Sequence, residues 1–185
     1  MKTLRISTLI IAGSLFFSFG NDVPLYSSLP GSLVQFRVNG FMGIDVKGRF
    51  TRLSSNIRFH EDDMVASYAE AVVPVSSIST GNSGRDRHLL SSDFFDADKY
   101  PEIRFISEKF RRSDDGFVCE GFLQIKNVRK KISIPFRAGS EKGTRVFDGH
   151  FYINRVDYNV GESSAGAGNK VRVKLRILAG PVLQK

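Results

Sequence analysis

The chain has 185 residues, a formal net charge of +8, 41% hydrophobic residues and a single cysteine. That length suits one domain with a core of its own, and one cysteine excludes an intrachain disulfide framework. Apart from Arg129, Lys130 and Lys131 the basic residues are scattered along the chain, which reads as a solvated surface and not as a nucleic-acid footprint.

Lys2 and Arg5 precede an almost wholly apolar run over residues 6–17, and Ser18, Phe19 and Gly20 form a small-x-small cleavage site. Residues 1–20 therefore read as a secretory signal peptide and residues 21–185 as a mature domain, periplasmic or secreted. The run is shorter than the roughly 20 residues that span a bilayer. No cysteine stands near the cleavage site to carry a lipid anchor.

Residues 21–31, with Pro24, Pro30 and Gly31, read as an irregular lead-in, and residues 33–38 as a first strand with Val34, Phe36 and Val38 on one face. Gly40 and Gly43 bracket Phe41 and Met42 in a turn; residues 44–53 run on as strand, with Gly48 at a bend. Residues 56–60 and 66–75 form the next pair, Pro74 marking an edge or a bulge.

Residues 80–107 break this pattern. Asn82 and Ser83 offer an N-cap to a short helix over residues 85–90 that turns Leu89 and Leu90 toward the body. Ser92 and Asp93 offer a second cap ahead of Phe94 and Phe95, and Tyr100 before Pro101 returns the chain to extended geometry. A connection this long between strands is uncommon and often functional.

Beyond it, residues 104–110 and 116–126 form a hairpin through Asp114, Asp115 and Gly116. Ile132, Ile134 and Phe136 alternate with Ser133 and Pro135, and Phe147, Gly149, Phe151 and Ile153 share a face. The cleanest alternation sets Val171, Val173, Leu175 and Ile177 against Arg172, Lys174 and Arg176. Roughly eight antiparallel strands predict an all-β sandwich or closed barrel, closure removing exposed edges. A barrel of that size is either filled by side chains or holds one small ligand, and 16 Phe with no Trp suit both.

The run Arg85, Asp86, His88, Leu89, Ser91 or Ser92, Asp93, Phe94, Phe95, Asp96, Tyr100, Pro101, Ile103 and Phe105 resembles the signature of the YceI-like family. Gly48 with Phe50, then Gly121, Leu123 and Ile125, and Arg155 with Asp157 extend the resemblance over nearly all of the chain behind the signal. Asn39 stands where the family commonly has a histidine, and Asn127 where it has a turn glycine, so Asn127 is expected to take the left-handed conformation. The resemblance implies an eight-stranded antiparallel lipocalin-like barrel with a short helical cap, exported, that holds a long isoprenoid or acyl chain in its lumen.

Asp86, His88 and the nearby serines are the parts of a nucleophilic triad, but two residues apart on a helix they face different ways, and no GxSxG turn presents a serine. The structural reading has Asp86 capping or pairing with Arg85 or Arg155 and His88 bonding backbone. His60, His88 and His150 lack metal-ligand spacing. Residues 161–169, GESSAGAGN, lack the GK[ST] end of a P-loop and lead into a strand. Cys119 alternates with Phe117, Gly121 and Leu123, the place of a small buried hydrophobe.

The expected function is an exported, non-catalytic carrier of one long apolar chain, polyisoprenoid, quinone-like or fatty acyl, with no cofactor, metal or nucleic acid. Its rival is a ligand-free structural or stress-related interaction domain. Phe36, Phe50, Phe95, Phe105, Phe122 and Phe151 are expected to line the cavity, with Arg85 and His88 at the entrance. A homodimer and a peripheral contact with an anionic membrane stay open as further partners.

Overall fold

The computed structural model describes residues 24–39, 45–163 and 168–182. The expected signal peptide, Phe41 and Met42, and the centre of the glycine-rich loop lie outside them.

Among the described residues eleven strands run in one antiparallel sheet: β1 (Tyr26–Ser28), β2 (Leu33–Asn39), β3 (Asp45–Phe50), β4 (Ser54–Arg58), β5 (Tyr68–Pro74), β6 (Ile78–Ser79), β7 (Glu102–Ser113), β8 (Gly116–Ile125), β9 (Val128–Glu141), β10 (Thr144–Asn154) and β11 (Lys170–Pro181). The pairing β1–β4–β5–β7–β8–β9–β10–β11 returns to β1, so the sheet closes into an eight-stranded barrel. The other three short strands continue their neighbours around bends. β11 pairs with β1 near its end and with β2 before it, while β4 pairs with β1 and β3 with β2. The eight strands expected from alternation are therefore present, three of them broken.

Each break has a local cause. Pro30 and Gly31, the latter at φ +95, turn the chain between β1 and β2. Between β3 and β4 the chain is held by Ser28, whose hydroxyl donates to Leu53 O and accepts from Ser55 N, each at 3.1 Å. A 3-10 turn over Val75–Ser77 separates β5 from β6, and Thr51 N donates to Ser77 O at 2.9 Å. The lead-in read as irregular thus contains a strand that completes the closure.

Between β8 and β9 the left-handed residue is Lys126 at φ +53; Asn127 does not take that conformation. A lysine there costs roughly 1–2 kcal/mol of backbone strain. Its ammonium offsets this by donating to Phe94 O and Asn159 O, both at 2.9 Å.

The interior divides along the barrel axis. At one end Phe59, Phe110, Phe117, Phe136 and Phe147 pack mainly edge to face, with centroids 4.9–6.2 Å apart. The Arg145 guanidinium lies over Phe59 and Phe147 and pairs with Glu61. A bulge between Ser107 and Lys109 resets the parity of β7, so that Phe105 and Phe110 both face inward. At the other end Val, Ile and Leu side chains share the core with Phe50, Phe151 and Tyr158, and the segment after β6 covers it.

Candidate functional site

The cover is built from the long connection. Helix α1 (Ser83–Leu90) begins at Asn82, whose side chain accepts from Arg85 N at 2.9 Å. The Asp86 carboxylate accepts from Thr80 N at 2.8 Å and Thr80 Oγ1 at 2.5 Å, while Arg85 Nε and Nη2 donate to Thr80 Oγ1 and Thr80 O. Asp86 therefore anchors the start of the helix to the Thr80 backbone and hydroxyl, nearer to the capping alternative than to a pairing with Arg85 or Arg155. Leu89, Leu90, Phe94 and Phe95 turn down onto the core at this end of the barrel, as expected for the two leucines. Phe95 meets Phe50 edge-on at 6.2 Å, and Phe50 meets Phe36 at 5.8 Å.

Beneath the cover lies an almost wholly apolar cavity of about 420 Å³. That volume falls in the roughly 300–1,000 Å³ range of small-molecule sites. The barrel is thus closed by phenylalanines at one end and hollow toward the cap.

Of the expected lining residues, Phe36, Phe50, Phe95, Phe105 and Phe151 are in the wall, with Arg85 and His88 at the cap end. Phe122 is not. Phe117, Cys119, Leu123 and Ile125 are buried on the inward side of β8, so strict alternation turns Phe122 outward, where the Arg129 guanidinium lies 4.2 Å over its ring. Residue parity already contained this answer. Phe59, Phe110, Phe136 and Phe147 were not anticipated; the apolar face of β9 and β10 was legible, but its turning inward and converging on Phe59 depends on closure.

His88 Nε2 stands 3.6 Å from Asp93, and its ring meets Phe94 edge-on at 5.0 Å, so it belongs to the rim. Arg155 is the buried cation of this end, donating to Val160 O, Glu162 O, Gly168 O and Asn169 Oδ1 at 2.8–3.1 Å. Burial draws its guanidinium below the usual value. It ties the loops at the mouth to the barrel. Among the described residues no group of three His, Cys, Asp or Glu has metal-holding geometry.

Two small polar groups lie in the wall. The Cys119 thiol is pushed up to about 12, first by burial and then by the neighbouring Glu120 charge, so it stays protonated and unreactive at neutral pH. Ser55 is 3% exposed and its Oγ has no hydrogen-bond partner among the described residues. Nothing in the sequence distinguished Ser55 from its neighbours Ser54 and Asn56.

The family model described as the YceI-like domain matches residues 29–179. A UPF0312 protein of Vibrio campbellii is 33% identical over 135 residues, covering 72% of this chain and 71% of its own. The UPF0312 protein of Yersinia enterocolitica is 22% identical over 178 residues, covering 91% and 93%. Among solved structures, BcnA of Burkholderia cenocepacia superposes with a TM-score of 0.75 at 24% identity, covering 80% of this chain and 96% of its own. A polyisoprenoid binding domain from Saccharophagus degradans superposes with a TM-score of 0.68 at 14% identity, covering 86% and 99%.

Proposed function

The chain belongs to the YceI-like family, and from that premise we propose that it is an exported, non-catalytic carrier holding one long-chain isoprenoid, quinone-like or fatty acyl lipid in its barrel. The observation that carries the reading is the cavity itself, hollow under an aromatic cap and walled almost entirely by hydrocarbon. Each methylene moved from water into such a wall is worth about 0.8 kcal/mol. A chain of about a dozen carbons then supplies enough to offset an association cost on the order of 4–15 kcal/mol. The tail lies toward the phenylalanine end and the polar head toward Arg85 and His88 at the rim.

Three further features support this reading. Arg85 and Asp86 are committed to Thr80, and Arg155 to loop carbonyls, which is structural work. The binding named for the Saccharophagus degradans domain is of the expected ligand class. The apolar stretch behind Lys2 and Arg5 is an export signal by composition.

The test is to express the protein in an exporting host, purify it natively from the envelope fraction, and analyse an organic extract by mass spectrometry. A near-stoichiometric lipid is the expected result. A clean extract, repeated after incubation with polyprenol, quinone and fatty acid, would sink the carrier reading in favour of a ligand-free interaction domain. Recovery only from the cytoplasm would sink the export.

A further inference from the structure

Strands β2, β3 and β11 together carry seven Lys and Arg against one acid, Asp45, and so hold most of the chain's net charge of +8. They are neighbours in the barrel, and register sets their outward side chains in two rows. Lys47 lies beside Arg37 and Arg37 beside Arg172; in the next row Arg49, Gln35 and Lys174 are side by side. All six are exposed. Neighbouring strands lie about 4.8 Å apart, so these charges fall within one Debye length, about 8 Å at physiological salt.

Like charges set opposite one another destabilise a sheet. Elsewhere cations on the strands meet carboxylates: Lys130 meets Asp157, Lys131 meets Glu108 and Glu120, and Arg176 meets Asp148 and Glu141. On this face Arg37 pairs with Asp45 at 3.3 Å. Among the described residues Lys47, Arg49, Arg172 and Lys174 have no carboxylate partner. Next to Arg172 on β10 stands Tyr152, 51% exposed, with Lys170 Nζ 4.4 Å over its ring. Tyrosine among cations is the composition of a membrane–water interface.

We propose that the outward face of β3, β2 and β11 docks the protein on a membrane rich in anionic phospholipid, head-group phosphates standing where carboxylates are missing. The inward residues of the same strands, Phe36, Val38 and Val171 among them, line the cavity near its capped end, so docking brings that end to the bilayer. The purpose of docking, though not its chemistry, rests on the carrier reading.

The test is co-sedimentation of the exported protein with phosphatidylglycerol–phosphatidylethanolamine vesicles and with phosphatidylcholine vesicles, at low and high salt. Binding to the anionic vesicles alone, falling with salt, is expected. The triple variant Lys47→Gln/Arg172→Gln/Lys174→Gln should bind about a hundredfold more weakly, since each cation at an anionic surface contributes about fivefold. Arg129→Gln/Lys130→Gln/Lys131→Gln removes the same charge elsewhere and should change binding less than fivefold. Thermal melts of both variants establish that they fold.

Equal losses in the two triples would overturn the proposal in favour of net charge alone, and absence of binding by the parent would overturn it outright. Parent that binds a mixed-sequence DNA duplex but no vesicle would replace the membrane with nucleic acid. Parent that docks yet gives a clean lipid extract would sink the carrier reading and leave the docking face standing.

Discussion

Phe95 of the cap sets its ring edge-on to Phe50 of β3, with centroids 6.2 Å apart and planes at 81°. This contact joins the segment that follows α1 to the barrel wall, and it lies over the cavity. Loss of the ring opens the cap end without disturbing the phenylalanine cluster at the other. Phe95→Ala should cost about 2 kcal/mol, below the 3–5 kcal/mol of a fully buried Phe, and should shorten lipid residence at least tenfold. Phe95→Asp should abolish retention. Undiminished lipid in a folded Phe95→Asp protein would remove the cap from the site.

Lys126 is the second fastener. Its ammonium spans from the cap carbonyl of Phe94 to the mouth carbonyl of Asn159. Charge-assisted bonds of this kind contribute roughly 1.5–3 kcal/mol when sheltered, and less where water competes. Lys126→Met should therefore speed amide exchange at Phe95 and Ala97, whose N–H groups bond to Leu89 O and Leu90 O in the cap, while β8 and β9 amides stay protected. Lys126→Gly, which removes strain and strap together, should show the same local exchange with a smaller loss of global stability. Unchanged exchange at Phe95 in Lys126→Met would show that the strap holds nothing.

Ser55 makes the opposite kind of prediction. Its backbone N–H bonds Ser28, but among the described residues the side-chain oxygen has no partner in its apolar wall. A buried hydroxyl without a partner costs about 1–3 kcal/mol. Ser55→Ala should raise the stability of lipid-free protein by about 1 kcal/mol in urea titration, with an unchanged m-value. A destabilised Ser55→Ala would mean that water or an alternative rotamer satisfies the hydroxyl.

The alternation of apolar residues exposed most of this architecture before any coordinates. It identified the β7–β8 hairpin, the apolar faces of β2, β9, β10 and β11, and the Asn82 cap, because these depend on periods of two and on a local hydrogen bond; that those faces turn inward follows from closure. What it missed depends on which strands become neighbours. Tyr26–Ser28, flanked by prolines, is a strand because Ala179, Gly180 and Pro181 pair with it on one side and Asn56 and Ile57 on the other. Phe122, expected in the wall, has the opposite parity to Phe117, Cys119 and Leu123 and so turns outward. The compact basic run Arg129, Lys130 and Lys131 includes two lysines paired with acids and an arginine over Phe122, whereas Lys47, Arg37 and Arg172, dispersed in sequence, meet across the sheet.

Cys119 gives the pH dependence its sign. Burial and Glu120 raise the folded thiol to about 12 from an ordinary 9.0, so between those values the unfolded chain has released a proton that the folded chain keeps. Fewer protons on the unfolded state means that stability falls as pH rises, by up to about 1.4 kcal/mol per unit across that window, and is fully present below pH 9. Tyr158, pushed up to about 12 by burial and then by Asp157, adds a loss of the same sign starting near its ordinary 10.0. Urea titrations at pH 8, 9, 10 and 11 should therefore show a steepening decline in the parent. Cys119→Ala should be less stable at pH 8, having lost a buried side chain, yet decline less steeply above pH 9. The thiol should also resist DTNB at pH 8 in the folded protein and react at once in urea. Parallel declines in parent and Cys119→Ala would show that the cavity wall around Cys119 admits water enough to solvate a thiolate.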